Sequence, residues 1–90
     1  MADSLPAGWA TKQGKLVNAY EFKDFKRAMV FLNEVAFAAE AQQHHPDFTV
    51  HWNRVDFVVW SHDAGKVTDR DRKLVKTIAA VAKRHRAKKA

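Results

Sequence analysis

His44 and His45 stand side by side ahead of Pro46, two imidazoles where a helical pattern gives way to a strand-like one. Histidine is the side chain whose ordinary pKa, about 6.5, lets it give and take protons near neutral pH, so the pair suits general acid–base chemistry. Pro46 bars His45 from the helical backbone that His44 can still hold, and the two rings are expected to point differently. Glu40 lies four residues before His44 on the same helix face, where a carboxylate can orient the imidazole or raise its pKa. Taken alone, such a pair reads as an exposed contact worth a few tenths of a kcal/mol. Trp52 and His62 form a second cluster, an aromatic near a hairpin turn and a histidine just past a strand, where loops beside a sheet commonly build sites. Asp71, near a helix start, is suited to accept bonds from backbone N–H groups.

The elements that must carry these residues can be read from periodicity. Residues 9–12 and 16–22 read as two strands around a tight turn at Gln13-Gly14. From Asp24, a plausible N-cap, the period becomes helical: Phe25, Met29, Leu32, Val35, Ala36 and Ala39 form the stripe of a helix that ends near His44. Val30, Phe31 and Phe37 lie off that stripe, which suggests a subunit interface. Residues 48–52 and 55–61 form a second hairpin, joined near Asn53-Arg54. Residues 63–67 are a loop. Thr68 caps the second helix with Asp71 three residues on, and Leu74, Ile78, Val81 and Ala82 continue its buried stripe. The order β-β-α-β-β-α predicts an α+β fold, a four-stranded antiparallel sheet with two helices on one face.

Ninety residues at 47% hydrophobic make one domain, expected to span residues 1–82. A chain of this size buries roughly 60 to 65% of its unfolded surface and needs no staples. It has no cysteine, so thiolate chemistry, disulfides and sulfur-ligated zinc are excluded. Nothing approaches a membrane span of about 18 apolar residues, and residues 1–8 lack the features of a signal peptide, so a cytoplasmic protein is expected. The formal charge is +6, but Lys83, Arg84, Arg86, Lys88 and Lys89 carry five of those charges, while residues 1–82 balance eleven Lys and Arg against ten Asp and Glu. Residues 83–90 therefore read as a basic C-terminal tail on a nearly neutral body. Such a run suits a helix end and solubility, and nucleic acid is not an expected partner.

Two metal readings fit the histidines less well. His44-His45, Asn53 and His62 mimic the His-Asn-His order of ββα-metal endonucleases, yet there the last histidine lies inside the following helix, whereas His62 precedes a loop. A zinc site from His44, His45, His51 and His62 has no spacing to recommend it. The order Glu40-x3-His44-His45-Pro46-x5-Trp52-x9-His62-x8-Asp71 instead resembles the signature of the pterin-4a-carbinolamine dehydratase family. The likeness runs through residues 20–25, 44–47, 52–55, 60–65 and 68–71. Gln43 and Trp60, where animal members carry an acid and a small residue, are similar to bacterial members; Lys66 replaces a usual glycine.

The resemblance implies dehydration of 4a-hydroxytetrahydropterin to quinonoid dihydropterin, which recycles the cofactor of aromatic amino-acid hydroxylases. It implies no metal and no cofactor beyond the pterin substrate. His44 and His62 would be acid and base on opposite sides of the carbinolamine, and His45 would orient the pterin. Gln43, Pro46, Trp60, Ser61 and Asp63 match substrate-contacting segments, and Trp52, Glu40 and Asp71 would hold the ring system or the histidines. The implied assembly is a homodimer or homotetramer, with a functional link to a hydroxylase. A non-catalytic role as a dimerisation or transcriptional cofactor is the alternative.

Overall fold

A computed structural model describes residues 5–90; the first four residues of the expected domain lie outside the described residues. The chain forms β1 (Ala10–Lys12), β2 (Lys15–Glu21), α1 (Phe25–Gln42), β3 (Asp47–His51), β4 (Arg54–Val59), α2 (Asp69–Arg84) and β5 (Lys88–Lys89). The antiparallel sheet has the order β1-β2-β4-β3, and β5 adds to β2. Both hairpins turn in two residues. Gln13 and Gly14 take φ of 52° and 76°, the left-handed geometry that matches strand twist. In the second, Trp52 alone takes positive φ, 54°, while Asn53 donates from Nδ2 to the Phe22 carbonyl at 2.8 Å and so ties the hairpin to the end of β2.

Leu16 and Tyr20 of β2 and Val55, Phe57 and Val59 of β4 meet Phe31, Leu32 and Val35 of α1 and Leu74, Val75 and Ile78 of α2 in one core. The α1 stripe is rotated from the expected one. Ala28, Phe31, Leu32, Val35 and Ala39 are buried, whereas Phe25 and Ala36 are exposed. Phe31, read from sequence as surplus, fills the centre of the core, edge-on to Phe57 and packed on Phe22. Val30 and Phe37 are indeed outside, Phe37 at 78% exposure. Asp24 caps α1 as expected, accepting from the Arg27 N–H at 2.8 Å.

The segment 83–90 is not a free tail. Residues 83 and 84 belong to α2, and Arg86, at φ 57°, turns the chain in a Schellman pattern, with the Ala87 N–H on the Ala82 carbonyl and the Arg86 N–H on the Lys83 carbonyl. Lys88 and Lys89 then pair with Glu21 and Tyr20, on the edge of β2 that the three-residue β1 leaves uncovered. An unpaired stretch of edge is a template for another strand, and the basic run supplies that strand. Among the described residues no helix is long and apolar enough to cross a membrane.

Candidate functional site

Two chain turns bring the histidines together. Helix α1 ends one residue earlier than a continuous pattern would allow: Gln43 takes φ 55°, and the N–H groups of Gln43 and His44 close back on the carbonyls of Glu40 and Ala39. His44 is thus outside the helix, and the four-residue face relation to Glu40 is lost. Its Nε2–H instead donates to Asp71 Oδ1 at 2.5 Å, and the expected Glu40–His44 pair is replaced by Glu40 with His45, Oε1 to Nε2 at 2.8 Å. The second turn is the 63–67 loop, which is closed by Ser61 and Lys66 pairing backbone to backbone, with the Gly65 N–H also on the Ser61 carbonyl. Lys66 takes part in that closure through its backbone.

His62 is held by a third carboxylate. Its Nε2 meets Asp47 Oδ2 at 3.0 Å, and the same oxygen accepts from the Trp60 indole N–H at 3.3 Å. The His62 ring lies stacked on Trp60 with centroids 4.1 Å apart, and Lys15 sets its ammonium 4.4 Å from the Trp60 ring. Each of the three site histidines therefore offers Nε2 to a carboxylate, and Nδ1 is the nitrogen that no carboxylate holds. With Nε2 protonated by that contact, Nδ1 is a base; with both protonated, the ring is an acid.

Asp71 is fully buried and accepts four contacts: His44 on Oδ1, and on Oδ2 the Thr68 N–H at 2.7 Å, the Ser61 hydroxyl at 2.7 Å and, more distantly, the Thr68 hydroxyl. Burial pushes its pKa up, but the hydrogen bonds from His44, the Thr68 backbone and Ser61 outweigh it and hold the carboxyl below its ordinary value. At the rim, the hydrogen bond from Arg70 at 2.7 Å holds the Asp63 carboxyl below the usual range.

Gln43, His44, His45, Pro46, Asp47, Trp60, His62 and Asp63 line one open cleft of about 370 Å³. Of the residues expected there, Ser61 and Asp71 lie beneath it, and Glu40 stands beside it through His45. Trp52 is not brought to it. It sits at the far end of the β3–β4 hairpin, about 17 Å from Asp47 by strand rise, and 68% exposed. The sequence reading places neither Asp47 nor Lys15 at the site, and takes Thr68 only as the cap of α2. Asp47 had a signal, an acid directly after Pro46; Lys15 had none, since its place over Trp60 follows from β2 pairing with β4, Leu16 against Val59.

The chain matches the family described as pterin 4 alpha carbinolamine dehydratase over residues 1–81. A protein of Thermomicrobium roseum, named as a candidate pterin-4-alpha-carbinolamine dehydratase, is 44% identical over 75 residues, which cover 83% of this chain and 81% of that one. A protein of the same name from Koribacter versatilis is 51% identical over 67 residues, 74% of this chain and 71% of its own. The crystal structure of a transcriptional coactivator/pterin dehydratase from Brucella melitensis superposes with a TM-score of 0.80 at 33% identity, covering 84% of this chain and 83% of that one. A pterin dehydratase-like RuBisCO assembly factor of the alpha-carboxysome shares the fold, with a TM-score of 0.68 at 18% identity over 89% of this chain and 90% of its own.

Proposed function

The chain belongs to the pterin 4 alpha carbinolamine dehydratase family, and on that premise we propose that it removes water from a 4a-hydroxytetrahydropterin to give the quinonoid dihydropterin. The observation that carries the reading is the set of three carboxylate-held imidazoles around one cleft. In the reaction the bond from C4a to its hydroxyl oxygen breaks as a proton reaches that oxygen, and the adjacent ring nitrogen gives up its own proton. The elements of water leave, and no electrons are exchanged with the protein. One acid and one base are needed, on different sides of the pterin.

His44 and His62 take these roles, and His45, outside the helix and tied to Glu40, orients the ring. Asp71 and Asp47 position the two proton carriers. The stacked Trp60 and His62 offer a flat aromatic wall to a planar heterocycle. Acid–base help of this kind is worth roughly 10²- to 10⁴-fold. In a spectrophotometric assay of 4a-carbinolamine decay, His44→Ala and His62→Ala should each slow turnover at least about tenfold while the circular dichroism spectrum is kept. Full activity in both variants would overturn the assignment.

The exposed Val30 and Phe37 on α1 favour an additional reading, self-association into a homodimer or homotetramer through that helix. Sedimentation of the wild type against Phe37→Glu tests it, the variant being expected to sediment as the smaller species. A link to an aromatic amino-acid hydroxylase follows from the proposed chemistry, since such an enzyme produces the carbinolamine.

A further inference from the structure

A second cleft lies at the other end of α1, away from His44, His45 and His62. Lys26, Arg27 and Val30 of α1 and Arg84, His85 and Arg86 at the close of α2 line a cavity of about 370 Å³. Its charges are poorly matched. Glu34 is the carboxylate that enters the cluster; hydrogen bonds from Arg84 first and His85 second bring its pKa down to about 2. Asp24, nearby in sequence, spends Oδ1 on the backbone N–H of Arg27 as the helix cap. Lys26, Arg27 and Arg86 have no carboxylate partner among the described residues. Arginines elsewhere are matched: Arg54 with Asp56 at 3.0 Å, Arg70 with Asp63 at 2.7 Å and Arg72 with Asp69 at 2.8 Å.

This arrangement works against the fold. Beyond the Asp24 cap, the first turn of α1 contains no acidic residue, although the positive end of the helix dipole favours acids there and disfavours Lys26 and Arg27. Arg86 is fixed at φ 57°, a conformation that costs a side chain with a Cβ. Solubility asks only for charge somewhere on the surface. It does not ask for cations from two helices to converge on one concavity, with Glu34 anchoring the Arg84 side chain among them.

We propose that this cleft is a binding site for a small multivalent phosphate ligand, of the inorganic pyrophosphate or nucleoside di- or triphosphate class, gripped by Lys26, Arg27 and Arg86. The volume suits a small molecule, and guanidinium groups match phosphate oxygens two at a time. A nucleic-acid strand would need a longer track of free cations. Here Arg84 is drawn to Glu34, and Lys89 is turned to Asn18 Oδ1 at 3.1 Å. The site is independent of the dehydratase reading.

The test is calorimetric titration of pyrophosphate and of ATP into the full chain at low ionic strength, with Arg27→Ala, Arg86→Gly and the control Arg54→Ala. Arg86→Gly removes the charge and suits the left-handed backbone, so the turn survives. The wild type and Arg54→Ala should bind one equivalent alike, and the two cleft variants should bind about tenfold more weakly or worse. Absence of saturable binding, or equal weakening in Arg54→Ala, would overturn the proposal. So would a twelve-nucleotide single strand that binds more tightly than ATP, which would make the surface a nucleic-acid interface instead.

Discussion

The pairs His44–Asp71 and His62–Asp47 have the same chemistry in opposite surroundings. In the first, the side chains are 10% and 0% exposed and the contact is 2.5 Å; in the second they are 58% and 54% exposed and the contact is 3.0 Å. A buried carboxylate is tolerated only when its lone pairs are met, and Asp71 meets the Thr68 N–H and the Ser61 hydroxyl as well as His44. It is thus at once the start of α2, the floor under the loop and the holder of a histidine. Asp47 competes with water for its partners and carries no part of the core. One carboxylate couples the proposed chemistry to stability, and the other tunes orientation alone.

The largest effect that would test this contrast is on Asp71. Asp71→Ala leaves the buried Ser61 hydroxyl, the Thr68 N–H and His44 without their acceptor, and should cost about 3 to 5 kcal/mol in urea unfolding together with most turnover. A loss under about 1 kcal/mol would show that the two pairs do not differ as described. The same residue sets an acid limit. Because its folded pKa is depressed, its stabilisation is whole above the ordinary aspartate value of about 3.9 and is lost as pH falls through the lower folded value. Unfolding midpoints measured from pH 5 downward should fall less steeply in Asp71→Asn than in the wild type.

Asp47→Asn comes next. It should lower turnover about tenfold, with Asp47→Glu restoring part of it, while stability changes by no more than about 0.5 kcal/mol. A stability loss as large as that of Asp71→Ala would erase the distinction between the pairs. The smallest effect is expected at Trp52, outside the cleft. Trp52→Gly suits the positive φ that opens the two-residue turn, so stability should rise by about 0.5 to 1 kcal/mol with turnover unchanged. Lost turnover would return Trp52 to the site.

The hairpin turn at Gln13-Gly14, the Asp24 cap, the Thr68 start of α2 and the His44-His45-Pro46 step were legible because each is decided within about four residues of chain. The exposure of Val30 and Phe37 was legible too, as apolar residues in excess of one helix face. The partners of the histidines were not. Glu40 and His44 have the spacing of a helical pair, but Gln43 leaves the helix between them, and a shift of one residue in a helix end changes which imidazole meets which acid. Composition could not show that the basic run closes α2 and returns along β2, because the vacancy it fills is made by the shortness of β1.

By itself, then, the chain determined its first six elements, their order, one histidine-pair motif and the family it resembles, since periodicity, caps and motif spacing are local. Tertiary structure alone decided that Asp71 holds His44, that Asp47 holds His62 under Trp60, and that Lys26, Arg27 and Arg86 share a cleft. Those contacts join residues 15 to about 60 positions apart, and strand register and helix termination set them, which only the packed core fixes.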